Sequence, residues 1–129
     1  MRFIGFYLRK TDITSKIEPY PSIALGSCEI SLFEMMQSYS MFPGKGFNVK
    51  PMYITRIEDR NGNVLATFTP KRKEIISELT AYSIAKMMEG VMRAGTGRGV
   101  WSYVPEMAIA GKTGTTNENS DGWFIGYTP

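Results

Sequence analysis

Hydrophobic and polar positions divide the chain into a few elements with clear stops. Residues 1–21 carry Pro19 and Pro21 and only a weak helical or strand pattern over 3–8. The segment SIALGSCEIS (22–31) then reads as an extended run turning at Gly26. Ser31 followed by Glu34 has the pattern of a capping box, in which a hydroxyl and a carboxylate three residues apart satisfy the orphan N–H groups of a helix start. Leu32, Phe33, Met35, Met36, Tyr39 and Phe42 recur at helical spacing until Pro43-Gly44 stops them. They predict a helix over about 32–42 whose Met and aromatic face is buried in a core. Cys28, in an apolar stretch, is expected as a small buried hydrophobe.

Residues 49–69 alternate in strand fashion around Asn61-Gly62. That pair suits a type I′ turn, where both central residues need positive φ, and a hairpin over about 51–68 is predicted. DRNGNV is not a calcium loop. Counted from Asp59, the EF-hand glycine and glutamate positions fall on Val64 and Pro70. The basic run Lys71-Arg72-Lys73 reads as a solvated approach to the next element. Ser77 is an N-cap for a helix over about 77–94 with Ala81, Ile84, Ala85, Met88, Val91 and Met92 on one face. Gly95-Thr96-Gly97-Arg98-Gly99 suits its C-terminal end and an irregular loop. It fails as a dinucleotide fingerprint, because Val100 stands at the third glycine and a helix rather than a strand precedes. Pro105 precedes a second hairpin over about 107–127 with a polar tip from Asn117 to Asp121. Trp123 and Phe124 alternate across its last strand, so one of them is expected in the core. Glu118 and Asp121 flank the tip as solvated groups, with Asp121 fixing the loop where the strand begins.

Composition removes several chemistries. The 129 residues suffice for one small domain, and 43% hydrophobic with 21% charged residues is ordinary for a globular chain. No histidine is present, which excludes Ser-His-Asp and Cys-His nucleophile systems and zinc sites built on histidine. One cysteine cannot form an internal disulfide or a CxxC metal site. A net charge of +3 with one short basic run argues against a nucleic-acid partner. No apolar stretch is long enough to span a membrane as a helix, and MRFIGFYLRKTD has no small-residue cleavage site, so it is a poor signal peptide.

The catalytic content lies in AGKTGTT (110–116). It contains Gly-Lys-Thr, but a phosphate-binding P-loop needs a glycine where Glu106 stands. The other reading is the Lys-Thr-Gly strand of the penicillin-recognising serine acyltransferases. An ammonium beside hydroxyls can hold a carboxylate. A glycine lets a peptide pair against the strand edge, and a backbone N–H just beyond can serve an oxyanion hole.

GKTGTTNENSDGWFIGYTP (111–129) resembles the transpeptidase domain of class A penicillin-binding proteins, the bifunctional peptidoglycan synthases. PSIALGSCEISLFEMMQSYSMFPGKG (21–46), YITRIEDRNGNVL (53–65) and GVMRAGTG (90–97) are similar to further blocks of that family, in the family's order and over nearly the whole chain from about residue 13. The resemblance implies an α/β fold of the α+β type: a β-lactamase/transpeptidase-like antiparallel sheet with covering helices, present here as a C-terminal fragment, residues 1–129 being a partial transpeptidase domain. It implies a peptidoglycan D,D-transpeptidase that cross-links cell-wall stem peptides and is acylated by β-lactams, with no metal or organic cofactor. Carried over by motif, Lys112 orients a second-motif group and the substrate carboxylate. Thr113 and Thr115 hydrogen-bond that carboxylate, the Thr115 N–H lines the oxyanion hole, and Gly114 keeps the edge open. The parent protein is expected in the cell membrane, with this domain outside the cytoplasm.

The chain departs from the family pattern in its nucleophile. The family's SxxK serine opens a helix far upstream of Lys-Thr-Gly, with an SxN motif between them. No SxN occurs here, and the one S-x-x-K string, Ser83-Ile84-Ala85-Lys86, lies in mid-helix close to Lys112. It reads as a surface coincidence, so the chain alone is expected to be inactive, lacking the N-terminal half of its own domain. Exposed sheet edges predict self-association. The alternative reading is a non-catalytic interaction or scaffold module of the same fold.

Overall fold

The computed structural model describes residues 2–18, 20–104, 106–116, 118 and 120–128, leaving aside the side chains of residues 2–4 and of Trp101. Pro19, Pro105 and the Asn117 end of the second hairpin's tip therefore lie outside the described residues. The chain divides into two units, Met1–Ile75 and Ile76–Pro129.

The first unit begins with helix α1 (Arg2–Lys10), where the sequence shows only a weak pattern. Arg9 and Lys10 in its last turn suit the negative end of the helix dipole, and Lys10 Nζ donates to the Ile75 carbonyl at 2.9 Å. Beyond α1 the chain turns inward at Thr11 and Ile13, both buried. Asn48 Nδ2 donates to the Thr11 carbonyl at 3.2 Å and Ser38 Oγ to Thr11 Oγ1 at 3.1 Å. These bonds tie Thr11 to Ser38 and Asn48 as a buried polar layer. Ile13, Ile23 and Ile75 are the buried apolar side chains of this unit among the described residues. The run at 22–31 is not extended throughout. Pro21–Leu25 form a 3-10 turn with Pro21 at its start, ending where Gly26 takes a positive φ of 85°. Cys28 is half-buried rather than fully enclosed.

Helix α2 (Leu32–Tyr39) starts on the Ser31/Glu34 capping box, with both reciprocal bonds formed. It ends before residue 42. The chain there passes into overlapping turns, with Gly44 N–H donating to the Ser40 carbonyl at 3.0 Å and Gly46 N–H to Met41 at 2.8 Å. Its burial departs from the expected one. Gln37 and Ser38 are buried, whereas Leu32, Phe33 and Met36 are 65%, 44% and 53% exposed. Met35, Tyr39 and Phe42 are half-buried, with the Tyr39 and Phe42 rings edge to face at 5.5 Å. The face expected in the core is therefore only partly covered among the described residues of this unit.

Glu34 does more than cap α2. One carboxylate oxygen accepts from Thr14 N (2.6 Å), Thr14 Oγ1 (2.9 Å) and Ser15 N (3.0 Å), and the other from Ser15 Oγ, Ser31 N (3.2 Å) and Ser31 Oγ (2.8 Å). The charged carboxylate therefore pins the segment after α1 to the start of α2. The bond from the Ser15 hydroxyl, followed by those from the Thr14 backbone, Ser31 and the Thr14 hydroxyl, holds its pKa well below the usual carboxylate range. A depressed folded-state pKa gives stability that is complete above the ordinary carboxylate value and declines as pH falls below it. Glu34→Gln turns one acceptor into a donor facing donors. It is expected to lower the thermal midpoint at neutral pH and to flatten the acid limb of the stability profile. Thermal melts of both proteins from pH 7 down to acid measure this, and superimposable acid limbs would contradict it.

Four short strands follow among the described residues: β1 (Phe47–Val49), β2 (Arg56–Glu58), β3 (Val64–Thr67) and β4 (Arg72–Glu74). β2 and β3 form the hairpin around Asn61-Gly62, shorter than the predicted 51–68. Its turn is not type I′. Gly62 alone has positive φ (83°), and the Asp59 carbonyl accepts from Gly62 N–H at 3.1 Å, a type I turn followed by a left-handed glycine. Asp59 selects this form, because its Oδ1 accepts from the N–H groups of Asn61 (2.8 Å) and Asn63 (2.9 Å). The basic run is not merely a solvated lead. Arg72–Glu74 pair antiparallel with Phe47–Val49, the Arg72 guanidinium lies 5.0 Å from the Phe47 ring centre, and Lys73 bonds Asp12 at 3.0 Å.

The second unit consists of helix α3 (Glu78–Ala94), a short helical turn α4 (Arg98–Trp101) and the antiparallel strands β5 (Ala110–Thr115) and β6 (Gly122–Tyr127). Ser77 caps α3, its hydroxyl accepting from Thr80 N–H at 3.2 Å. Ala81, Met88 and Met92 at i, i+7 and i+11 form the buried stripe, and α3 packs on β5, where Ile109 and Ala110 are buried. The hairpin predicted over 107–127 is paired from Ala110↔Tyr127 to Thr115↔Gly122.

Candidate active site

β5 emerges from the core as it runs. Ala110 and Gly111 are buried, Thr113 is half-buried, and Lys112, Gly114 and Thr115 are exposed. Strand alternation puts Lys112 and Gly114 on one face, opposite Ile125 and Trp123, and Gly111 and Thr113 on the other, opposite Gly126 and Phe124. The Phe124 ring lies across the two facing glycines. A Cβ on Gly111 would stand 2.6 Å from Phe124 Cζ, and one on Gly126 2.8 Å from Cε1. The expectation that one of Trp123 and Phe124 enters the core is corrected, since they are 59% and 46% exposed. Phe124 rests on the glycine pair at the sheet surface.

The Lys112 ammonium donates to the Thr113 carbonyl at 2.8 Å and meets no carboxylate among the described residues. Gly114 is open: the nearest atom to a Cβ built there is Trp123 Cβ, at 3.7 Å. β5 pairs with β6 along one edge, and no strand pairs with its other edge among the described residues. The strand thus presents a cation, two threonine hydroxyls and unpaired backbone groups around a residue without a side chain. This is chemistry for holding a carboxylate-ended extended chain. The tip beyond is closed by Thr116 and Asp121, whose backbone groups bond at 3.1 Å, with Asp121 N–H donating to Thr116 Oγ1 at 2.9 Å. Glu118 and Asp121 are exposed, and Asp121 fixes the loop through its backbone.

A residue that motif reading misses joins this group. Thr96, in the glycine loop after α3, has its hydroxyl 2.6 Å from that of Thr113. The loop is set by the N–H groups of Gly95 and Gly97, both donating to the Val91 carbonyl at 3.1 Å. A Cβ on Gly95 would lie 2.9 Å from backbone atoms of Val91, so only glycine fits. The signal in the sequence is the Gly-Thr-Gly triplet, but its closeness to Lys-Thr-Gly is a tertiary fact.

Ser83 and Lys86 do not form a nucleophile pair. Ser83 Oγ donates back to the Leu79 carbonyl at 2.9 Å, and Lys86 Nζ bonds both Glu89 oxygens at 3.0 and 2.9 Å. The Glu89 hydrogen bond raises the Lys86 pKa, the opposite of what a proton-accepting lysine needs.

The Lys-Thr-Gly stretch thus lies in an antiparallel hairpin backed by α3, on an edge that no strand pairs among the described residues. Residues 11–129 match the family model of the penicillin binding protein transpeptidase domain, and the chain belongs to that family. Penicillin-binding protein 1A of Neisseria meningitidis serogroup A is 36% identical over 129 residues, covering 95% of this chain and 16% of that protein. The chain thus spans about a sixth of the length of this curated relative. Penicillin-binding protein 1A from Haemophilus influenzae has the same fold over 98% of this chain and 24% of its own, with a TM-score of 0.85 at 21% identity. Penicillin-binding protein A from M. tuberculosis, solved as an imipenem acyl-enzyme complex, covers 95% of this chain and 32% of its own, with a TM-score of 0.74 at 16% identity. The mixed helical and antiparallel architecture is that of the transpeptidase fold, of which these residues are a part.

Proposed function

We propose that residues 1–129 are the C-terminal portion of a D,D-transpeptidase domain and supply the strand on which peptidoglycan stem peptides are held for cross-linking. The observation that carries this reading is the open edge of β5, with Lys112, Thr113 and Thr115 grouped around a glycine that leaves room for a backbone. In this reading Lys112 orients the group supplied by the second motif and attracts the terminal carboxylate of a D-Ala-D-Ala peptide. The Thr113 and Thr115 hydroxyls donate to that carboxylate, and the Thr115 N–H stabilises the oxyanion. A serine outside these residues attacks the penultimate carbonyl, D-alanine leaves, and an amine takes the acyl group. A β-lactam acylates the same serine, and no metal or organic cofactor takes part. The protein works at the cell membrane with this domain outside the cytoplasm, and the outer edges of β5 and β6 favour self-association when left unpaired.

The test is acylation of the complete domain carrying these residues by a fluorescent penicillin, together with D-alanine release from a donor peptide. A folded domain that does neither would overturn the proposal in favour of a non-catalytic module. Gly114→Ala sharpens it. The added methyl meets only ordinary contact distances, so stability should change by less than about 1 kcal/mol. Acylation should fall by roughly tenfold as the methyl crowds the bound chain. Equal losses of stability and activity would count against the edge as the binding surface.

A further inference from the structure

The structure assigns Thr96 as a positioning residue for Thr113, an inference that rests on the carboxylate-binding role proposed above. The two hydroxyls are 2.6 Å apart, so one donates to the other. Each has a single proton. If Thr113 gave its proton to Thr96, only lone pairs would face a substrate carboxylate, which would repel it. The arrangement that binds an anion is therefore directional: Thr96 donates to Thr113, and Thr113 donates outward. Accepting one bond strengthens the donor character of the next, so the pair acts as a short relay ending on the carboxylate. It also selects one χ1 rotamer of a half-buried β-branched side chain on β5.

The loop is built to hold that donor. Gly95 lies where a side chain would strike the backbone of Val91, and Gly97 is buried with Met92 Sδ 2.6 Å from where its Cβ would be. Both N–H groups close on one carbonyl of α3, and α3 packs on β5. Thr96 is thus presented by a fixed turn on the helix that supports the strand it serves.

The experiment compares Thr96→Val with Thr96→Ser in the complete transpeptidase domain. One readout is the Thr113 χ1 population, from three-bond couplings to its methyl carbon. The other is the acylation rate by a penicillin and by its methyl ester. Thr96→Val keeps the shape and removes the proton. Thr113 should become rotamer-averaged, and acylation by the free acid should fall roughly fivefold, the equivalent of one neutral hydrogen bond. The ester, which lacks the negative carboxylate, should lose less than twofold. Thr96→Ser should restore both readouts. A Thr113 rotamer unchanged in Thr96→Val, or equal losses for acid and ester, would overturn the assignment. If the unsubstituted domain is not acylated at all, the transpeptidase reading fails, and the rotamer comparison still decides whether Thr96 positions Thr113.

Discussion

Replacing Lys112 by methionine in the complete transpeptidase domain is expected to slow acylation by a penicillin by about 10²–10³-fold. The thermal midpoint should hardly move. Lys112 is exposed, and its ammonium bonds only the neighbouring Thr113 carbonyl among the described residues. Removing it strands no buried charge and breaks no ion pair, so the stability change should stay within about 0.5 kcal/mol. Methionine keeps the length and apolar stem of the side chain and removes only the charge. In the proposed function, what is lost is the cation that attracts the substrate carboxylate and orients the second-motif group. A charge-assisted hydrogen bond is roughly twice as strong as a neutral one, so its loss is expected to exceed that of a single hydroxyl contact. Lys112→Arg keeps the charge but moves it onto a wider planar group, and should recover part of the rate. Stopped-flow acylation with a fluorescent penicillin, beside a thermal melt, separates these outcomes. A loss under about threefold would remove Lys112 from the site.

The legible features of this chain are those encoded within a few residues. The Ser31/Glu34 box and the Ser77 cap depend on i+3 spacing and are found as the sequence implies. Of the α3 face predicted by helical periodicity, Ala81, Met88 and Met92 are buried while Ile84, Ala85 and Val91 are half-buried. The failures are non-local. α2 has a Met and aromatic face typical of a core helix, yet Phe33 and Met36 are exposed, because periodicity tells which face is apolar and not what covers it. Arg72–Glu74 form a strand with no hydrophobic alternation, since the pairing rests on backbone bonds to Phe47–Val49 far away in sequence. At Asn61-Gly62 the turn residues predict the hairpin, but the Asp59 carboxylate decides the turn type by binding two N–H groups inside it. The site divides in the same way. Lys112 to Thr115 stand together in one motif, whereas Thr96 reaches Thr113 only once α3 has packed on β5.

The same reasoning predicts that residues 1–129, purified alone and incubated with a fluorescent penicillin, form no adduct. The complete domain should be labelled stoichiometrically on a serine outside this stretch. Loss of the nucleophile from a cooperative catalytic set removes about 10⁶ of the rate, and the one local candidate is already committed elsewhere. The Ser83 hydroxyl gives its proton to the Leu79 carbonyl, one turn back along α3. Lys86, which would have to accept a proton, is held charged by Glu89. A serine in the middle of a helix also lacks the free N–H groups that a helix start offers to a developing oxyanion. Intact mass and a tryptic map of the labelled domain provide the measurement, with Ser83→Ala as the control. In the complete domain Ser83→Ala should leave labelling unchanged, as the hydroxyl it removes serves only an exposed backbone bond. An adduct on Ser83 of the isolated chain would show that α3 rearranges to free both groups, and would make these residues an acyltransferase in their own right.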